Sequence, residues 1–277
     1  MIPFDFEYDR PSSVREAAER YRRWQTQGKD PMYYSGGTEL ITWARQNSIR
    51  PGAVIDLKAI PDCNAFGYEG DWLIIGSNVA LSVLSAKNLF PLLGRTAQGV
   101  ADQTARNQIT LGGNCCGRIH YRETVLPLLL SNCRVVLAGP GGEREVAVQE
   151  AFHRQMKLEQ GEFVVQFRID REYASLPFYY RKRRQIGNVG YPLVTMAALK
   201  KDGEVRAAFS GVCAFPFRSA EMERELNEPS VPLERRAELA VARLPAPLLA
   251  DAEGTAAYRE YILKLTIIEA MRELEGR

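Results

Sequence analysis

Two short glycine-bearing segments carry residue types that can hold a phosphorylated ligand. Tyr34-Ser35-Gly36-Gly37-Thr38-Glu39-Leu40 places a glycine pair between an apolar run and the start of a helical pattern. Consecutive glycines remove side chains and let successive backbone N–H groups turn toward one centre. The helix N-terminus that follows adds partial positive charge, so the segment suits a phosphate or pyrophosphate. The same residues also suit a plain strand-to-helix turn. The lysine of a P-loop and the spacing of the dinucleotide fingerprint are both missing. Arg106-Asn107-Gln108-Ile109-Thr110-Leu111-Gly112-Gly113-Asn114 holds a second glycine pair, again flanked by hydrogen-bonding residues. Two such loops in one domain can hold the two phosphates of a dinucleotide or line its ring system.

Other residues offer rival chemistry. Tyr180-Arg181-Lys182-Arg183-Arg184 is a basic run that suits either an anion or a solvated face. Arg118, His120, Tyr121 and Arg122 gather polar and cationic groups just past the second glycine pair, for contact with a phosphate or an acceptor, or with solvent or a partner chain. The five cysteines, Cys63, Cys115, Cys116, Cys133 and Cys213, are odd in number and scattered, against a disulfide framework. No pair has the two-residue spacing of a zinc or iron–sulfur site, and only His120 and His153 could add imidazole ligands. Small buried hydrophobes are the plain reading of these thiols. Neither a metal site nor a set of catalytic residues is expected in this chain.

The elements that position these residues follow from capping and periodicity. Ser12-Ser13 can cap a helix over Val14 to Gln27, which Gly28 stops. Met32-Tyr33-Tyr34 forms a short strand, Glu39 to Gln46 a helix with Thr38 as its N-cap, and Val54 to Leu57 an apolar strand, giving α-β-α-β. Trp72 to Gly76, Arg134 to Ala138 and Glu162 to Ile169 are strands. Leu81 to Ala86, Pro91 to Gln98 and Val125 to Asn132 are helical, and Gly139-Pro140-Gly141-Gly142 is a turn. Beyond a polar boundary near 171–178, Tyr191 to Lys200 and Val205 to Gly211 form a hairpin through Lys201-Asp202-Gly203-Glu204, because Asp-Gly tolerates positive φ. The tail from Leu233 is helical, broken at Pro245 and Pro247, with a last helix from Thr255 to Glu275.

Composition narrows the function classes. The 277 residues are 45% hydrophobic and 25% charged, the balance of a soluble globular protein. A net charge of +2 is too small to point to nucleic acid as the main partner. Apolar stretches such as Val125 to Leu130 are too short to span a bilayer. The N-terminus has no basic region followed by an apolar run, so a cytoplasmic location is expected by default.

Taken together and in order, the motifs resemble one family. Tyr34-Ser-Gly-Gly-Thr-Glu-Leu resembles the Ala-Gly-Gly-Thr-Asp-Leu loop of the flavoprotein subunits of the xanthine dehydrogenase and carbon monoxide dehydrogenase molybdenum hydroxylases. Val54 to Asp62 is similar to the strand and turn that follow it there, and Ile75-Gly76-Ser77 with Leu81 to a further pattern. Arg106-Asn107 through Asn114 resembles the family's Arg-Asn-x-x-Thr-Ile-Gly-Gly-Asn loop. Ser210 to Arg218 and Gly254 to Arg259 resemble segments of its C-terminal domain.

The resemblance implies an α+β fold: an FAD-binding domain over 1–172, in two α/β subdomains of about 1–60 and 61–172, then a small C-terminal domain over 173–277 with a three-stranded antiparallel sheet. It implies FAD as cofactor, held by Tyr34, Ser35, Gly36, Gly37, Thr38, Glu39 and Leu40 and by Thr110, Leu111, Gly112, Gly113 and Asn114. Thr104 and Asn107 precede the second loop in matching positions. The backbone near Phe163 would approach the flavin, and a cation from Arg181 or Lys182 would lie near its ring system. After Asn114 the chain is one residue longer than the family pattern, so the acid expected to bind adenosine falls on Glu123 or Thr124. Asn188 stands where an aspartate is common. The implied partners are a molybdopterin-binding large subunit and a small subunit with 2Fe–2S clusters. Electrons would pass through FAD to NAD or another acceptor, as in a xanthine dehydrogenase-like oxidoreductase, with hydroxylation on a partner chain. A flavin-free interaction subunit and an independent FAD-dependent oxidase are the alternatives.

Overall fold

In the computed structural model, which describes residues 2–187 and 189–276, the more buried strands sit at sheet centres and the more exposed ones at edges. The strand Ala53–Asp56, buried at every position, is the middle of a three-stranded parallel sheet between Glu7–Asp9 and Pro31–Tyr34. Burial on both faces is what a parallel sheet between crossover helices requires. The helices Val14–Thr26 and Thr38–Arg45 make those crossovers. Ser13 caps the first, its hydroxyl accepting from the Glu16 N–H, while the Glu16 carboxylate accepts from the Ser12 N–H at 2.9 Å. Such reciprocal bonds satisfy otherwise orphaned donors. The strand Glu7–Asp9 was not legible in sequence, since its three residues are largely exposed and polar.

A five-stranded antiparallel sheet follows, ordered Phe66–Glu69, Trp72–Gly76, Phe163–Asp170, Arg134–Gly139, Gly142–Ala147. The turn expected at 139–142 is the tip of its last hairpin. Val14, Ala17 and Trp24 of the first helix meet Ile55 and Ile60 beside the parallel sheet, and Val136, Ala138, Phe163 and Val165 of the antiparallel sheet, in one apolar cluster. That cluster holds the two sheets in a fixed relation.

These sheets belong to one compact unit made of the chain up to Leu84, Gln103–Gly117 and Cys133–Arg171. A second unit comprises Ser85–Asp102, Arg118–Asn132 and the residues from Glu172 onward. The two stretches upstream of 172 thus interleave with the first unit along the chain, where the sequence suggested a single division at 172/173.

The second unit carries an antiparallel sheet of Phe178–Arg183, Val194–Lys201, Glu204–Ser210 and Phe217–Arg218. The first three are the sheet expected; the two-residue fourth extends its edge. Asp202 and Gly203 have φ of 53° and 84°, the primed turn that the Asp-Gly pair predicts. The strand Phe178–Arg183 replaces what composition offered as a basic run. Leu263, Ile267 and Met271 of the terminal helix Ala256–Glu275 pack with Met196, Phe209, Met222 and Ala240 in this unit's core. The helix Val125–Leu130, buried at all six positions, packs on three of the strands. Among the described residues, no helix is long and apolar enough to cross a membrane.

Candidate functional site

The first glycine loop leaves the carboxyl end of the strand Pro31–Tyr34 and enters the helix Thr38–Arg45. Ligands of open sheets with parallel strands gather at such strand ends. Gly37, with φ of 72°, is the N-cap, and among the described residues no side chain caps the helix. The sequence expectation of Thr38 as N-cap is corrected: the left-handed turn at Gly37 starts the helix one residue earlier, and the Thr38 carbonyl already accepts from the Thr42 hydroxyl at 2.7 Å. Only a residue tolerant of positive φ makes that turn cheaply. The Ile41 N–H closes the first helical bond, to the Gly37 carbonyl at 2.8 Å, so the leading donors of this helix precede it.

The two glycine loops meet. The Ser35 hydroxyl donates to Asn78 Oδ1 at 2.5 Å and lies 3.0 Å from Thr110 Oγ1. A Cβ on Gly36 would stand 1.9 Å from the Gln108 carbonyl oxygen, and one on Gly37 2.3 Å from the Tyr34 ring. Both glycines are therefore needed for close approach. Lys58, just past the end of the middle strand, lies with Nζ 4.0 Å from the Tyr34 ring centroid and 2.8 Å from Asp56 Oδ2. Tyr8 donates to the same oxygen at 2.5 Å, and the Lys58 N–H donates to Oδ1 at 2.9 Å. Burial alone would raise the Asp56 carboxyl, but these hydrogen bonds outweigh it and hold it below its ordinary value. Sequence reasoning missed Lys58 and Asn78, although both stand directly after strands whose ends frame the loop.

The second loop is built differently. Thr110 caps the helix Leu111–Cys116 by accepting from the Gly113 N–H at 3.2 Å. The N–H groups of Leu111 and Gly112 donate at 2.9 Å to the carbonyls of Val79 and Ser77, and that of Asn114 to Thr110 at 2.8 Å. A Cβ on Gly112 would fall 2.6 Å from Ser77 Cβ. Leu111 and Gly112 are buried, and Gly113 is the exposed face of the loop. Glu39 reaches this loop's helix, its Oε2 lying 3.3 Å from where a Cβ of Gly117 would be. Leu40 is half-buried on the first helix, and Thr104 and Asn107 are exposed ahead of the second. The Phe163 ring is buried against Tyr33, 4.5 Å between centroids, so its side chain belongs to the core.

In the second unit, strand alternation sorts the basic run onto two faces. Tyr179, Arg181 and Arg183 turn to the terminal helix, where Glu269 accepts from Tyr179 at 3.0 Å, from Arg181 at 2.8 Å and from Arg183. Lys182 turns the other way. Its Nζ lies 2.6 Å from Glu123 Oε2 and 2.9 Å from the Gly99 carbonyl, and the Thr195 hydroxyl donates to Glu123 Oε1 at 2.6 Å. The Lys182 and Glu123 side chains are 4% and 2% exposed, whereas Arg181 is 45% exposed. Of the alternatives left by sequence, Lys182 and Glu123 are the pair brought together. Thr124, fully buried, immediately precedes the helix Val125–Leu130. Burial pushes the Lys182 ammonium below its ordinary value, and Glu123 opposes that shift. Nearby, Tyr121 stacks on Tyr191 and donates to Asp251 at 3.1 Å, and burial pushes His120 down. Asn188 lies outside the described residues. Among the described residues, no group of three or more His, Cys, Asp or Glu could hold a metal ion.

The family model of the FAD binding domain in molybdopterin dehydrogenase matches residues 4–171. The carbon monoxide dehydrogenase medium chain of Hydrogenophaga pseudoflava is 27% identical over 228 residues, 79% of this chain and 78% of that one. The medium chain of Afipia carboxidovorans is 25% identical over 292 residues, covering 100% and 99%. Among solved structures, carbon monoxide dehydrogenase from Hydrogenophaga pseudoflava lacking the Mo-pyranopterin moiety of its cofactor superposes with a TM-score of 0.87. That match is 24% identical and covers 100% of this chain and 99% of the other, a likeness of fold.

Proposed function

Because the chain belongs to the family of FAD-binding domains in molybdopterin dehydrogenases, we propose that it is the electron-transfer subunit of a molybdenum hydroxylase. It takes electrons from 2Fe–2S clusters on a small partner chain and passes them through FAD to NAD or another acceptor. A molybdopterin-binding large subunit carries the hydroxylation. The relatives named above are medium chains of oxidoreductases, which supports a heteromeric assembly.

The observation that carries the reading is the junction of the two glycine loops. Ser35 and Thr110 meet beside a helix N-terminus without a side-chain cap, and Gly36 and Gly37 leave no room for a Cβ. This arrangement fits a diphosphate, which would accept hydrogen bonds from the backbone donors at the helix start and from the Thr110 hydroxyl. The segment Tyr34 to Leu40 would hold the diphosphate, and Thr110 to Asn114, with Thr104 and Asn107 ahead of it, would form the facing wall. Lys58 adds a positive charge beside Tyr34. The backbone near Phe163 would approach the flavin. FAD, when bound, supplies a carrier that accepts and releases electrons singly or in pairs. The chain positions that carrier and sets its electrostatic surroundings. Purified protein titrated with FAD should reach one flavin per chain by absorbance, and folded protein that takes up no FAD would overturn the proposal. Isolation from the native host should bring down molybdenum- and iron-containing chains.

A further inference from the structure

The parallel sheet has one face that its helix leaves partly open. The registers of Tyr8 with Val54 and of Tyr34 with Asp56 set these side chains on the side of the helix Thr38–Arg45. Phe6 and Arg10, two residues either side of Tyr8, fall on the same side by strand alternation. The helix buries only Ala44 fully, and Leu40 and Ile41 stay half-buried. Between helix and sheet lies a cavity of about 420 Å³, walled by Phe4, Phe6, Tyr8, Tyr34, Leu40 and Ile41. Phe6 and Tyr8 remain 37% and 56% exposed, large apolar surface left at its mouth. Every lining residue belongs to the unit that carries both glycine loops, yet Ser35, Gly36, Gly37 and Thr110 do not line it.

Sites for small molecules span about 300–1,000 Å³ and combine aromatic walls with a few placed polar groups. Here the polar groups are Arg10, Asp56 and Lys58, gathered at the carboxyl ends of the strands. Asp56 has no idle oxygen: Oδ2 accepts from Tyr8 and from Lys58 Nζ, and Oδ1 from the Lys58 N–H. Arg10 is exposed and forms no ion pair among the described residues. The hydrogen bond to Asp56 is the main cause that raises the Tyr8 hydroxyl above its ordinary value, and the Arg10 charge opposes it, so the guanidinium is felt at the aromatic wall. Two cations thus share one fully engaged carboxylate, and this end of the cavity is left positive.

We propose that the cavity binds a small aromatic carboxylate, its ring among Phe4, Phe6, Tyr8 and Tyr34 and its carboxylate at Arg10, with Lys58 behind. Flat rings bury large area against aromatic walls, and a guanidinium fork matches a carboxylate. The site does not depend on whether the chain holds a flavin.

The test is calorimetric titration of the full chain with naphthoate, with the neutral naphthalenemethanol and with the aliphatic cyclohexanecarboxylate. Naphthoate should bind at one site per chain. Naphthalenemethanol should bind about tenfold more weakly, because it forfeits a charge-assisted contact. Cyclohexanecarboxylate should lose about fivefold or more with the ring contacts. Lys58 also reaches the Ser35 carbonyl at 3.4 Å and so serves the loop, which makes Arg10 the cation to remove. Arg10→Gln should weaken naphthoate and leave naphthalenemethanol unchanged, whereas Phe6→Ala should weaken both. The comparison of the three probes on wild-type protein needs no variant and decides the matter where one fails to fold. Absence of saturable naphthoate binding overturns the proposal, as does naphthoate binding that neither variant alters. Equal binding of the neutral probe also overturns it, and points instead to an aromatic side chain of another protein as the occupant.

Discussion

Replacing Gly36 with alanine tests the junction of the two loops directly. The new Cβ would stand 1.9 Å from the Gln108 carbonyl oxygen and 3.0 Å from its carbon. Real Cβ contacts do not fall below 3.0 Å, so the loops must part by about 1 Å. The obstructing atom is backbone and cannot rotate aside. Over-packing costs about 1–3 kcal/mol, and a rigid obstacle places this site near the upper figure. At about 2–4 °C per kcal/mol for a chain of this size, the melting temperature should fall by roughly 6–12 °C. The same movement separates Ser35 from Thr110, so FAD affinity should drop at least tenfold. Thermal unfolding by circular dichroism and fluorescence titration with FAD read the two effects. Gly67→Ala is the control: nothing lies within 4 Å of its Cβ position, and alanine in a strand is about 0.5–1 kcal/mol better than glycine. A Gly36→Ala protein that melts within 1 °C of wild type and binds FAD equally would show that the loops do not touch as described.

Further outcomes follow from other buried groups. Arg259, fully buried, donates to the carbonyls of Leu249, Leu193 and Gly211 and to Asp251 at 2.6 Å, so Arg259→Met should lower stability by about 3–5 kcal/mol in urea denaturation. Tyr180 Oη is buried without a partner among the described residues and would lie 1.9 Å from a Cβ on Gly99. Tyr180→Phe should therefore be neutral or stabilising by up to about 1 kcal/mol. Gly99→Ala should destabilise, and combining it with Tyr180→Phe should restore part of the loss in the same denaturation assay. Glu162 is held below its ordinary value chiefly by the hydrogen bonds from Arg144. Its contribution is complete above the unfolded carboxyl value of about 4.3 and is lost as pH falls through the lower folded value. Urea midpoints of wild type and Glu162→Gln should thus converge on acidification, and a constant gap down to the lowest pH would contradict that assignment.

What the sequence shows and what it hides divide along physical lines. Ser13, Gly28 and the Asp202-Gly203 turn were legible because each acts on backbone within a few residues of itself. The two glycine pairs were legible as loops, but not their contact, because Ser35 and Thr110 lie far apart in sequence. Lys58 and Asn78 went unnoticed because neither type carries a motif; only the fold brings them beside the loop. The choice between Arg181 and Lys182 needed the strand assignment, since alternation sends neighbours to opposite faces. Glu123 and Thr124 stood as alternatives in the sequence, and the inward-facing oxygens of Glu123 depend on Thr195, which no local pattern connects to it.

The helix Val125–Leu130 has a consequence for biogenesis. All six of its residues are buried, and the strands it packs on run from Val194 to Arg218. During synthesis those strands do not yet exist when the helix emerges. At about 5–20 residues per second, it waits on the order of ten seconds for its cover. Over that interval a wholly apolar segment stands uncovered while the chain from Cys133 to Arg218 is still being made. Such a segment gains from a chaperone's protection, and a charge there would trade safe passage through synthesis against the finished core.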